Sequence, residues 1–265
     1  VIASRTDPAR ASLEDARPAA LRQLLSEADR ARHLRQDRRA IALYRQLLLE
    51  APRNVEVALR AAPLLASAGE SFEAWQLFRM AATELYRLRR YDACLAALRD
   101  ACRSVPHEFD AWRLRAELEH KLGREDAAYD TLLEGAQRFR RAHDGSQAIA
   151  LLTRARAIDP WDPEAALDLA RLYARAGMSD SALALLASIA PDVGGRTLRR
   201  VRGLQWRITL SLYHAGRWIQ ALLQELRGER APTGFALGPG PRPGRERQPA
   251  EIEESCLALD PEVPD

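Results

Sequence analysis

Five histidines, three cysteines and a large stock of arginine are the residues of this chain best equipped for chemistry. His33, His107, His120, His143 and His214 stand apart, and none sits in the HExxH spacing that presents two imidazoles to zinc from one helix face. His107-Glu108 precedes a helical pattern and reads as a first-turn acid rather than a metal site. Cys94 and Cys102 are eight positions apart, about 12 Å along a helix, too far to bridge. They fit no zinc-ligand spacing and read as small buried apolar residues. Gly194-Gly195 has no lysine after it and no strand before it, so it is a turn rather than a phosphate cradle. Carboxylates lie scattered along solvated faces, with no pair poised for acid–base work. The chain reads as a non-enzyme, with no metal and no other cofactor.

Arginine is the feature above background. Of 40 basic residues only Lys121 is lysine, and Asn54 is the only asparagine. A GC-rich genome accounts for that bias through its codons; a taste for bidentate anion contacts is the functional alternative. Position says more than number. Arg30, Arg32 and Arg35 form one group, Arg87, Arg89 and Arg90 a second, and Arg138, Arg140 and Arg141 a third. Arg196, Arg199 and Arg200 fall near the next interval. Each group falls where a helix ends, and there the helix dipole favours a cation by about 0.3–1 kcal/mol. Stacked helices would align them as a basic ridge. Such a ridge suits an acidic peptide or, less well, nucleic-acid phosphates. No aromatic ladder interleaves it, which argues against stacking on single strands.

The elements that would position these residues are helical. The 265 residues are 47% apolar and 6% aromatic, with a net charge of +3, a soluble helix-forming balance. No apolar run reaches the roughly 18 residues of a membrane span. The opening Val1-Ile-Ala-Ser-Arg-Thr-Asp-Pro has no apolar core for secretion, so a cytoplasmic protein with reduced thiols is expected.

Five residue triplets recur at intervals of 54: Pro52, Pro106 and Pro160; Gly69, Gly123 and Gly177; Ala74, Ala128 and Ala182; Ala62, Ala116 and Ala170; Leu64, Leu118 and Leu172. This is a tandem repeat. Each unit predicts three helices. The first, over 109–122 or 163–176, stops at a glycine placed for a left-handed cap. The second covers 71–88 or 125–142, with an apolar stripe through Ala74, Phe78 and Ala81, or Ala128, Leu132 and Gly135. The third, over 91–104 or 146–158, ends at the proline. Pro63 predicts a kink inside a first helix. Small residues at the crossings let backbones approach, and no unit can bury its apolar face alone. Strand signals are nearly absent.

Trp112-x3-Ala116, Gly123-x4-Ala128 and Leu132 resemble a tetratricopeptide repeat (TPR). So do Ala170-Arg171-Leu172-Tyr173, Gly177-x4-Ala182 and Ile158-Asp159-Pro160. The step from Ala40 to Ala74 matches the family's usual period of about 34 residues. The dominant period of 54 is one helix longer. The middle helix therefore serves twice, pairing with the helix before and the helix after. The resemblance covers about residues 19–191. It implies an all-α, right-handed helical-repeat solenoid of about 11–12 helices. It also implies a groove lined by first helices, where Arg113, Glu117, His120 and Lys121, then Asp168, Arg171 and Arg175, would touch a partner. One TPR subtype clamps a terminal carboxylate with lysines and asparagines; with Lys121 and Asn54 alone, this chain cannot build that clamp.

The ends depart from the pattern. Residues 1–18 read as a disordered segment. Residues 19–52 match the second and third helices of a unit, so a fragment or processed chain is expected. Residues 192–230 read as basic capping helices, Thr197 to Ala215 and Trp218 to Leu226, split at Gly216. The part around Gly203 to Tyr213 has the look of a membrane-surface helix but is better read as packing on the last repeat. Residues 231–265 read as a Pro/Gly-rich linker followed by an acidic tail, in which 251–265 holds six acids and no base. The expectation is a TPR-like adaptor binding an acidic or amphipathic peptide or protein. Nucleic-acid binding and a regulatory module of a larger protein are the alternatives.

Overall fold

The computed structural model describes residues 8–140, 145–210 and 212–227; of residues 8–18 and Leu212 it describes the backbone alone. Among the described residues every regular element is a helix. They are α1 (Pro8–His33), α2 (Asp37–Glu50), α3 (Val55–Ser67), α4 (Ser71–Arg87), α5 (Tyr91–Ser104) and α6 (Phe109–Lys121). There follow α7 (Glu125–Phe139), α8 (Ser146–Ile158), α9 (Pro163–Arg175), α10 (Ser179–Ile189), α11 (Gly195–Thr209) and α12 (Leu212–Leu226). Two compact units divide within α6, one up to Arg115 and one from Ala116 onward. Each is a run of helical hairpins in the solenoid manner, and no described helix is long and apolar enough to cross a membrane.

The repeat signal translates directly into helix ends. Gly69, Gly123 and Gly177 have φ of +90°, +72° and +78°, the left-handed region where a Cβ is strained. At each, the next residue's N–H reaches back across the last turn: Glu70 to Leu65, Arg124 to Glu119 and Met178 to Tyr173, all at 2.9 Å. Arg35 and Arg89 adopt the same conformation, at φ +55° and +56°, without being glycine. Gln36 and Arg90 then donate to Ala31 and Leu85 at 2.9 Å, so the cap forms around an arginine. Starts are specified too. Asn54 accepts from the Val57 N–H at 3.1 Å, and Asp162 accepts from the Glu164 N–H at 2.8 Å, with Pro163 opening α9.

Small residues sit at the crossings. Ala62, Ala74, Ala128, Ala170 and Ala182 are wholly buried, while Tyr44, Phe78, Trp112 and Leu186 fill the space beside them. In the first unit α4 packs on both α3 and α5, and α3 also touches α5. In the second, α7 packs on α8 and donates Thr131 Oγ1 to Glu119 of α6 at 2.6 Å, both side chains being buried. The middle helix does serve twice. Cys94 and Cys102 are buried as expected; burial pushes the Cys94 thiol up to about 12, and its Sγ donates to the Ala82 carbonyl at 3.3 Å.

Three expectations change. The backbone is helical from Pro8, inside the segment 1–18 expected to lack structure, because Pro8–Arg17 is rich in helix formers behind an opening proline. α6 begins at Phe109, so its first-turn acid is Asp110 and Glu108 stands just outside, its carboxyl pushed up by burial. The last two helices part at Leu210, which takes φ +50°, and not at Gly216, which lies inside α12. The glycine that matters is Gly203 in α11: a Cβ there would lie 3.1 Å from Trp218 Nε1. That close approach lets Trp206 and Trp218 stack with centroids 5.8 Å apart, so α11 packs on α12. The expected linker and tail, 231–265, lie outside the described residues.

Candidate functional site

α9 presents a polar stripe at helical spacing, Glu164, Asp168, Arg171 and Arg175, while Ala166, Leu167 and Ala170 are buried. Beside it, α11 carries Arg196, Arg200 and Arg207 on one face, and the end of α7 contributes Arg140. Asp168 is the hub. It pairs with Arg140, which reaches over from α7, and accepts from Arg171 Nη1 at 2.9 Å. Arg175 Nη1 donates to the Arg140 carbonyl at 3.5 Å, and Arg200 of α11 pairs with Glu164.

Five arginines, numbers 140, 171, 175, 200 and 207, thus stand around two carboxylates, to which Arg140, Arg171 and Arg200 are paired. Desolvation lowers the affinity of the Arg140 guanidinium for its proton, and neighbouring Arg171 and Arg175 lower it further. Arg171 is lowered likewise by burial and then by Arg200; Arg175 and Arg207 act the same way and Glu164 opposes. Positive charge here exceeds what the described carboxylates neutralise.

The expected partner-binding residues divide between the units. Arg113 lies in the first and pairs with Asp110 at 2.8 Å. Glu117, His120 and Lys121 lie in the second; Glu117 pairs with Arg154 of α8 at 3.1 Å, and His120 is exposed at the end of α6. Asp168, Arg171 and Arg175 come together as predicted from one helix face. The expected ridge divides in the same way. Arg87, Arg89 and Arg90 are exposed in the first unit, with Arg87 paired to Glu84 at 3.5 Å. Arg138 is exposed in the second, and Arg140 turns inward to Asp168. Arg141 lies outside the described residues. Arg199 and Arg200, adjacent in sequence, diverge: Arg199 pairs with Glu225 of α12 at 3.1 Å, and Arg200 goes to α9.

Arg140, expected on the ridge, and Asp168, expected in the groove, pair with each other on the second unit. Arg207 and Glu164 were missed as members. Only their spacing, in step with Arg200 and Asp168 along their own helices, signals them. An open depression of about 460 Å3 between α8, α9 and α10 is lined by Arg156, Tyr173 and Ser181 among others. Among the described residues no group of three or more His, Cys, Asp or Glu is placed to hold a metal ion.

Residues 139–205 match the family model described as tetratricopeptide repeat. No curated protein matches the sequence. Among solved structures, the nearly identical TPR-like repeats of a Podosopora anserina chain described as a kinesin light chain are 18% identical, with 73% of this chain and 99% of that one covered and a TM-score of 0.36. PilF of Pseudomonas aeruginosa is 15% identical, with 81% and 94% covered and a TM-score of 0.28. A tetratricopeptide repeat protein from Parabacteroides merdae is 12% identical, with 83% and 95% covered and a TM-score of 0.29. The family model is seated on α8, α9, α10 and most of α11, so this stretch of the second unit is similar to a tetratricopeptide repeat, with helical hairpins before it.

Proposed function

We propose that the chain is a non-catalytic scaffold that binds a peptide or protein partner through the polar and arginine surfaces of its helical array. The observation that carries this reading is the α9 stripe, Glu164, Asp168, Arg171 and Arg175, flanked by arginines of α7 and α11. Those side chains are held by pairing with one another, so little side-chain freedom is lost when a partner arrives. The surface is charged rather than apolar, which favours an acidic or amphipathic segment, with register set by the alternation of acid and base. Arg113, Glu117, His120 and Lys121 supply further polar contacts in this reading. The exposed Arg87, Arg89, Arg90 and Arg138 add long-range attraction. α11 and α12 close the array.

The test is capture of partners from lysate by the full chain, with and without nuclease. It is repeated with Arg171→Glu, with Arg113→Glu and with Arg87, Arg89 and Arg90 all changed to Glu. A partner retained after nuclease and lost with Arg171→Glu is the expected result. Partners that vanish with nuclease would sink the scaffold reading and promote nucleic-acid binding. Association that falls steeply with salt, whatever the sequence of an added oligonucleotide, would say the same.

A further inference from the structure

In the C-terminal half of α9 the cations outnumber the carboxylates around them. Arg171 shares Asp168 with Arg140. Arg175 reaches only the Arg140 carbonyl, and Arg175 and Arg207 are both exposed without a carboxylate partner among the described residues. Arg207 is nonetheless close enough to Arg171 to disfavour its charge. Five arginines against Glu164 and Asp168 leave an excess of three positive charges on α9, the adjoining α11 and the end of α7. Guanidinium groups so placed donate bidentately to carboxylates, and the partial burial of Arg140 and Arg171 strengthens such a contact over one in open water.

The chain itself contains a segment of matching chemistry. Residues 251–265 hold Glu251, Glu253, Glu254, Asp260, Glu262 and Asp265, and no basic residue. Ile252, Leu257 and Leu259 give it apolar side chains as well. Between the end of α12 and this segment lie residues 227–250, rich in proline and glycine. At roughly 3.3 Å per residue they span as much as about 80 Å, more than enough to return to the same unit.

We infer that the arginine seat of α7, α9 and α11, formed by Arg140, Arg171, Arg175 and Arg207, binds the chain's own acidic segment, residues 251–265, which an acidic partner must displace. The inference rests on the α9 surface being a peptide-binding face and adds what occupies it at rest. A tethered segment competes at an effective concentration in the millimolar range, so even a weak contact is populated.

The probe is a fluorescent peptide of the sequence 251–265, titrated onto the full chain by anisotropy at low salt. A variant with Glu251→Gln, Glu253→Gln and Glu254→Gln empties the seat, and it should bind the peptide at least fivefold more tightly than the unaltered chain. Adding Arg175→Gln and Arg207→Gln to that variant should weaken binding at least tenfold. Both arginines are exposed, and an unchanged helical circular dichroism melt confirms an intact fold. No binding to the emptied variant overturns the inference, as does binding indifferent to the two arginines. Equal affinity for the unaltered chain and the emptied variant overturns the self-occupied seat. A lysate partner that ignores Arg175→Gln and Arg207→Gln removes this inference and leaves the scaffold reading standing. Peptide binding at the seat without any captured partner does the reverse.

Discussion

Arg45 in the first unit and Arg171 in the second are both half-exposed arginines on a helix face, and their surroundings are opposites. Arg45 sits between Glu70 and Glu73, which draw its guanidinium to α4; the hydrogen bond it donates to Glu73 raises its pKa well above the usual range. Nearby, Arg60 of α3 is shared by Asp29 and Glu56, and Asp29 also accepts from Tyr44 Oη at 2.6 Å. In the first unit arginine ties helices together. Arg171 has Asp168 but is crowded by Arg200, Arg175 and Arg207, and its hold on the proton falls. In the second unit arginine is collected in excess. The lesson is that one residue type, present in both units, serves as internal cement in one place and as an unsatisfied surface in another. The difference lies in how many carboxylates the neighbouring helices supply.

That contrast depends first on where α11 stands. Gly203→Val drives a branched side chain into the Trp218 indole, and it should cost about 2 kcal/mol in urea unfolding through overpacking. Gly216→Ala, with open space around it inside α12, should instead stabilise by about 0.5–1 kcal/mol. If the two behave alike, α11 is not positioned by the Gly203–Trp218 contact and its arginines are not fixed relative to α9. Next comes the hub. Asp168→Asn leaves Arg140 and Arg171 without their carboxylate, and about 1–2 kcal/mol of stability should be lost. The same change opposite Arg45 should be milder, since Glu70 can replace Glu73.

The sharpest discrimination uses smaller effects of opposite sign. Arg45→Gln should destabilise by about 0.5 kcal/mol, the ordinary value of an exposed pair. Arg175→Gln should be neutral or stabilising by a few tenths, because it removes repulsion and no carboxylate pair. Equal losses at both sites would erase the distinction between the units. Smallest is the response to acid. Glu73 has its carboxyl held below the usual range, chiefly by Arg45, so its contribution is full above the unfolded carboxylate pKa and disappears as pH falls through the folded one. Melts of the unaltered chain and of Glu73→Gln should differ at neutral pH and draw together only as the pH falls below the unfolded carboxylate value of about 4.3.

How much of this was legible beforehand follows from what periodicity encodes. The ends of α4, α5, α6, α8 and α9 lie within a residue of their expected places, because a glycine or proline follows each of the last four and the apolar stripe of α4 runs out with its helix. α7 stops earlier than expected, at Phe139, and Leu210 escaped notice because a left-handed leucine has no signature in composition. Arg35 and Arg89 hid for the same reason: they stand where glycine would be expected. The face of α9 was legible, since Asp168, Arg171 and Arg175 share a helical spacing. Its completion by Arg140 and Arg207 was not, for contacts between helices distant in sequence follow from packing, which spacing along one helix does not contain.

The double use of the middle helix has a consequence for how such a chain can grow or shrink. In an ordinary hairpin array, one hairpin can be gained or lost and the neighbours close over the gap. Here α4 is clasped from both sides, by α3 and by α5, and removing either neighbour would bare a face built to be covered. The heritable module is the full triplet. Insertions and deletions of a whole triplet keep every glycine brake and proline stop in step, whereas the loss of a single hairpin would put the music out of time.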